Sequence, residues 1–195
     1  MSIKTDDVKK LRDETGISVM KCKNALEEAK GDMKKALTIL QQKSKDAAYK
    51  KKDRNLGAGR IASYLHNTKT VGVLVELSCE TDFVAKNEEF TELAYNIAMH
   101  IAAMNPLYTS MKDVPEEDKD LMRASFEKEF ADKPENIRDK AVEGKMTTHF
   151  GEQVLMDQAY IKDSEKTITN LVEEATQKFG ERIEVTRFTR YSVGG

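Results

Sequence analysis

The stretch Cys79-Glu80-Thr81-Asp82-Phe83-Val84-Ala85-Lys86-Asn87 decides how this chain is read. Before it runs Val71-Gly72-Val73-Leu74-Val75-Glu76-Leu77, an alternating apolar run that predicts a buried strand. After it, Asn87 can cap a helix carrying Phe90, Leu93, Ala94, Ile97, Ala98 and Ile101 on one face. A carboxylate and a large aromatic ring therefore sit side by side at a strand-to-helix corner, where side chains tend to reach outward. Nothing within the segment could serve as a nucleophile with its base, or hold a metal.

Outward from the corner, Arg60–His66 forms a second strand-like run, joined to the Val-rich one through Asn67-Thr68-Lys69, which suits a hairpin. The helix from Asn87 ends before Asn105-Pro106. Pro115 opens another, with Leu121, Met122, Phe126 and Phe130 along it, and Pro134 opens a further one that Gly144 closes. A helix through Ile168, Leu171, Val172, Ala175 and Phe179 stops at Gly180. Arg182–Tyr191, with Ile183 and Val185 between polar neighbours, then returns a strand to the sheet. The expected core, residues 55–195, is α+β: a small, mainly antiparallel sheet packed by helices.

Ahead of it lie three short amphipathic helices. The first, around Asp6–Glu14, buries Val8 and Leu11 and stops at Gly16, a good left-handed cap. Ser18 can cap the second, where Cys22, Ala25, Leu26 and Ala29 recur before Gly31; Asp32 caps the third, with Met33, Ala36, Leu37 and Leu40 on one stripe. Ser44–Arg54 follows, Lys-rich and poor in apolar residues, a solvated connector that can continue as helix. The first unit is thus residues 1–54.

Composition narrows the function. Charged residues make up 34% and aromatics 7%, with no Trp, which is lean for a surface built on stacking. Residues 1–54 hold 15 Lys/Arg against 9 Asp/Glu, so a basic head precedes an acidic body. That asymmetry fits RNA contact, an acidic protein partner, or a plain mixed surface. Ser2 to Lys10 lacks the apolar core of a secretory signal, and no run approaches membrane-spanning length, so a cytoplasmic location and no membrane contact are expected. Cys22 and Cys79 lack metal-type spacing, and His66 and His149 form no ligand pattern, so neither metal nor cofactor is expected. Ser18, Ser63, Ser78 and Ser192 lie in no nucleophile elbow, and there is no Walker loop. The chain reads as no covalent catalyst.

Five blocks, taken in order, carry a resemblance. They are Leu11-Arg12 with Thr15-Gly16, Met20, Cys22-Lys23 and Ala25-Leu26; Gly31-Asp32 with Ala36; the Val-rich strand with Thr81–Val84; Ala98-Met99-His100-Ile101-Ala102; and Glu143-Gly144-Lys145, Gln158, Lys162 and Arg190–Gly194. Together they resemble the elongation factor Ts family, and the three-helix module resembles the ubiquitin-associated fold. The resemblance implies a guanine-nucleotide exchange factor that binds the translational GTPase EF-Tu in its GDP form, with no direct nucleic-acid contact. It implies that Thr81, Asp82, Phe83 and Val84 form the contact corner, Phe83 wedging beside the partner's bound Mg²⁺ and Asp82 disturbing the same region. It further implies that His100 lies near the partner's phosphate loop, and that Arg12, Met20 and Lys23 face the GTPase domain.

Taken alone, each residue has a plainer reading. Phe83 could be core packing, Asp82 a helix cap, His100 a hydrogen-bonded boundary residue, Met20 a packing residue, and the charges a solvated face. A ribosome- or RNA-binding module and a helical adaptor remain rival functions. Two departures stand out: Lys21 replaces the family's usual Asp, and the length leaves no room for the second core subdomain or the helical hairpin of longer members. Pairing of two copies would compensate for that shortness.

Overall fold

The computed structural model describes residues 3–194. Its first three helices are α1 (Thr5–Thr15), α2 (Val19–Glu28) and α3 (Met33–Lys51). They close on Leu11, Cys22, Leu26, Ala36 and Leu40, positions that recur at helical spacing, with Ile17 of the turn between α1 and α2 packed among them. Gly16 takes a left-handed φ of 66° and returns its N–H to the Arg12 carbonyl, ending α1. Asp32 caps α3 through the Lys35 N–H, whereas Ser18 stands at the cap of α2 without a side-chain bond.

The Ser44–Arg54 segment is helical to Lys51 and mostly exposed, as the reading of a solvated, helix-continuing connector allows. It departs from that reading at Ser44, which is buried against the later helix described below. Low apolar content concealed this, because small side chains (Ser44, Ala47, Ala48) allow close helix approach without a hydrophobic stripe.

The core begins with the hairpin β1 (Ala58–Leu65) and β2 (Val71–Cys79), paired antiparallel from Ala58↔Cys79 to Leu65↔Gly72. Gly59 is required at its rung, since a Cβ there would lie 2.7 Å from the Leu77 carbonyl oxygen. Val73, Val75, Leu77 and Cys79 point inward at the period of a strand. One turn of helix, α4 (Asp82–Ala85), forms the corner itself, and α5 (Glu88–Met104) follows, with Asn87 capping it through the Glu89 N–H as expected. This helix lays Phe90, Ala94, Ile97 and Ile101 across β1 and β2. Each fully buried large side chain there contributes roughly 1.5–3 kcal/mol.

Helices α6 (Glu116–Glu129) and α7 (Glu135–Gln153) come next, with Pro115 and Pro134 at their caps. Gly144 does not close α7, which passes straight through it. A mid-helix Gly costs about 1 kcal/mol against Ala, and the burial of Val142, Met146 and Phe150 on the same helix outweighs that. The two helices pack antiparallel, with Arg123 on Glu143 and Lys145 on Glu129. A helical hairpin is therefore present, correcting the expectation that the length leaves no room for one.

A small ladder of β3 (Ala159–Tyr160) and β4 (Asp163–Thr167) precedes α8 (Ile168–Phe179). Thr167 and Asn170 cap that helix reciprocally, and Gly180 ends it at φ 75°. Strand β5 (Glu184–Ser192) then joins the free edge of β2, giving the antiparallel order β1-β2-β5. The fold is α+β. Helices cover the inner sheet face, while the outer face leaves Ile61, Leu65, Leu74 and Tyr191 in solvent.

Candidate functional site

The corner is built from main-chain groups that have lost their sheet partners. Beyond Cys79 the chain stays extended to Thr81 (φ −130°) and then turns into the single turn of α4. The N–H groups of Glu80 and Thr81 both donate to Oε2 of Glu181, at 3.1 and 3.0 Å, and the Thr81 hydroxyl donates to its Oε1 at 2.6 Å. In return, the Glu80 carboxylate accepts the Arg182 N–H at 2.5 Å and faces the Arg54 guanidinium at 3.3 Å. Arg182 also donates to the Arg54 carbonyl at 2.6 Å.

Inside the corner, Val84 and Ala85 are buried and pin α4 to the core. The Cys79 thiol donates to the Thr81 carbonyl at 3.3 Å; burial, then the nearby Glu181 charge, pushes its pKa up, so it is an inert packing group. Thr81 occupies the cap position of α4, but its hydroxyl is committed to Glu181 rather than to the helix. Asp82 is the first residue of the turn, not its cap.

Phe83 is left 84% exposed. Keeping a ring of that size in water forgoes roughly 1.5–3 kcal/mol of burial, and the helical turn that buries Val84 and Ala85 on its inner side is what leaves Phe83 outward. Asp82 stands beside it, exposed, with Lys86 at 3.2 Å on the next turn. Such a surface pair is worth well under about 1 kcal/mol, so the carboxylate is free to exchange partners.

The other expected residues fall in two places. Arg12, Met20 and Lys23 are exposed on the module; Met20 is 66% accessible, with Val19 exposed beside it and Lys23 one turn further on. The turn at Gly16, between Arg12 and Met20, rests on the Lys178 side chain, whose ammonium pairs with Glu89 at 2.8 Å. Lys178 thereby bridges the module and the start of α5, six residues past Phe83.

His100 lies elsewhere. It is fully buried, with Nε2 2.9 Å from Oε1 of Gln158 and Nδ1 accepting the Ile161 N–H at 3.3 Å. That pattern fixes the neutral tautomer carrying its proton on Nε2, and burial pushes the imidazole pKa down. The ring ties α5 to the β3 turn and is buried, so neither the surface or boundary position of its plainer reading nor an exposed contact of the kind the resemblance implies matches where it lies. The roles of Glu181 and Arg54, the contact made by Lys21 and the pair Ser44–Gln177 are not legible in the sequence. Glu181 sits 100 residues from the segment it holds, and no local pattern links them.

Among the described residues, no group of three His, Cys, Asp or Glu could hold a metal ion, and no helix is long and apolar enough to cross a membrane.

Fold and corner together define a class: α+β proteins with an amino-terminal three-helix module and an exposed aromatic–carboxylate pair on a braced turn. Within that class the sequence has close relatives. A family model described as Elongation factor TS matches residues 48–195. Elongation factor Ts of Thermotoga maritima is 47% identical over 194 residues, covering 100% of this chain and 98% of the relative. The same-named proteins of Pseudothermotoga lettingae (48% over 198 residues, 100% and 99% covered) and Thermodesulfovibrio yellowstonii (46% over 198 residues, 100% and 98%) are similar along their whole lengths. The chain belongs to the elongation factor Ts family, and its role lies in translation elongation.

Proposed function

We propose that this protein is the guanine-nucleotide exchange factor for EF-Tu, acting in the cytoplasm by contact alone, without cofactor, metal or covalent chemistry of its own. The observation that carries the reading is the exposed Phe83 ring beside Asp82 on a turn fixed from behind. Mg²⁺ demands a near-ideal octahedron and is held by few protein ligands, phosphate oxygens and water. Wedging an aromatic ring beside it, and shifting a supporting element by on the order of 1 Å, breaks that geometry and strips GDP of its main counter-charge. Arg12, Met20 and Lys23 provide docking on the GTPase domain, while Thr81 and Val84 hold the wedge in place. His100, being buried, supports α5 from within.

Exchange is then a linkage effect. Whatever ratio the factor imposes on nucleotide affinity, nucleotide imposes on the factor's affinity. The test is stopped-flow release of a fluorescent GDP from EF-Tu, with excess unlabelled nucleotide, in the presence and absence of this protein. Acceleration by about two orders of magnitude or more, largely lost in Phe83→Ala, is expected for a transition-state contact of this kind. Acceleration that survives Phe83→Ala would move the mechanism to another surface.

The outer sheet face supports a second element of the proposal, pairing of two copies. Ile61, Leu65, Leu74 and Tyr191 form an apolar surface on one side of the sheet, and a two-fold contact is the simplest way for a single surface to cover itself. A monomer by light scattering at micromolar concentration would count against it.

A further inference from the structure

We propose that Glu181 is a positioning residue for exchange, holding Asp82 and Phe83 in the pose that a partner meets. This rests on the reading that the corner acts on EF-Tu, and the register of the sheet is what carries it. The last backbone rung between β2 and β5 is Ser78↔Glu184. Continued at the same register, Glu80 falls opposite Arg182 and Thr81 opposite Glu181. No main-chain rung joins these positions. Side chains replace it: the Glu181 carboxylate takes the Glu80 and Thr81 N–H groups, and the Glu80 carboxylate takes the Arg182 N–H.

The substitution of carboxylates for carbonyls has a geometric consequence. A glutamate side chain reaches further than a peptide carbonyl, so the two strands can splay apart at this end while staying tied. The splay lets β2 turn outward into α4, and the tie keeps that turn from fraying. The Thr81 hydroxyl, at 2.6 Å from Oε1, adds a third leg on the residue directly before Asp82. Without Glu181 the partly buried Glu80 N–H and the exposed N–H and hydroxyl of Thr81 lose their shared acceptor together, and the turn bearing Phe83 can sample other orientations.

Glu181 also stands at a junction. It follows Gly180, the left-handed end of α8, and lies three residues after Lys178, which the Gly16 turn of the module rests upon. The docked module and the wedge are thus referred to the same short turn.

The experiment is the GDP-release assay on EF-Tu with the full chain, titrated to saturation, for Glu181→Ala, Glu181→Gln, Phe83→Ala and the double variant Glu181→Ala/Phe83→Ala. Glu181→Ala is expected to lower the maximal release rate roughly tenfold, with the half-saturating concentration changed no more than about twofold. Glu181→Gln should restore most of the rate, because its amide oxygen accepts both N–H groups and its NH₂ can donate to the Thr81 hydroxyl. In the Phe83→Ala background, Glu181→Ala should cost no more than about twofold, since it acts through that ring.

A Glu181→Ala protein as fast as the unsubstituted chain would overturn this role while leaving the exchange reading intact. An undiminished tenfold loss in the Phe83→Ala background would also overturn it, by exposing a general structural effect. No acceleration by the unsubstituted chain would overturn the exchange reading and this role with it. Should Glu181→Ala fail to fold, Thr81→Val removes one leg only; a loss of about threefold in maximal rate is expected, and an unchanged rate overturns the proposal.

Discussion

The ammonium of Lys21 donates to the main-chain carbonyl of Gln177 at 3.1 Å, joining the second helix of the module to the last turn of α8. The carbonyls of a final turn lack helical partners and carry the negative end of the helix dipole. A cation there is favourable, and an aspartate would be repelled. A lysine rather than an acidic residue at position 21 thus suits the docking geometry of this chain. Lys21→Ala is expected to lower stability by about 0.5–1 kcal/mol, and Lys21→Asp by about as much again. Urea denaturation of the two variants, compared at low and high salt, checks this; the gap between them should narrow as salt rises.

The same Gln177 carries the buried half of the contact. Its side-chain amide is hydrogen-bonded to the Ser44 hydroxyl at 2.7 Å, with both residues buried. Ser44→Ala strands the buried amide oxygen of Gln177 and should cost about 1–3 kcal/mol, whereas after Gln177→Leu the Ser44 hydroxyl keeps the Leu40 carbonyl as acceptor at 3.0 Å and the loss should be smaller. The double variant should cost less than the sum of the two, because the orphaned partner is gone. A double-mutant cycle by denaturant unfolding measures that coupling; strict additivity would mean that the bond holds nothing.

Gly144 offers a change in the opposite direction. It lies exposed inside α7, and a Cβ built on it meets nothing within 4 Å. Gly144→Ala should therefore stabilise the protein by about 0.5–1 kcal/mol, chiefly by restricting the unfolded chain. A rise in the urea midpoint with an unchanged slope is the expected signature.

That glycine also marks how far the sequence could be read. The strand at Val71–Cys79, the corner and the helix from Asn87 were legible because period 2 gives way to period 3.6 around a capping residue. The three module helices were legible for the same reason. Gly144 misled, because local propensity stops a helix there while Val142, Met146 and Phe150 carry it on. The β3–β4 ladder was silent, being two and five residues long with little apolar content. At the candidate site, the outward Phe83 and Asp82 followed from their place at the strand end. The brace behind them did not, because Glu181 meets Thr81 only after α5 to α8 have been laid down between them. The burial of His100 is not legible locally, whether the residue is read as a boundary histidine or as the partner contact the resemblance implies, because the β3 turn that covers it lies some sixty residues further along the chain.

The burial of His100 makes stability depend on pH in a definite direction. Its folded pKa is depressed, first by desolvation, only partly offset by the bond to Gln158. The unfolded chain, with an ordinary imidazole near about 6.5, then binds a proton over a range of pH where the folded protein does not. Stability is therefore fully present above about 6.5, and falls as pH drops from there toward the folded pKa, with a limiting slope of about 1.4 kcal/mol per pH unit from this group. Protonation inside would also place two donors where Ile161 N–H needs an acceptor, so the β3 turn should loosen first. Urea midpoints between pH 7.5 and 5.5 should fall steeply for the unsubstituted chain. His100→Asn, less stable at pH 7.5 through its smaller side chain, should show a much flatter profile over the same range. Parallel profiles for the two proteins would mean that another group carries the dependence, and that the imidazole is not held neutral by its surroundings.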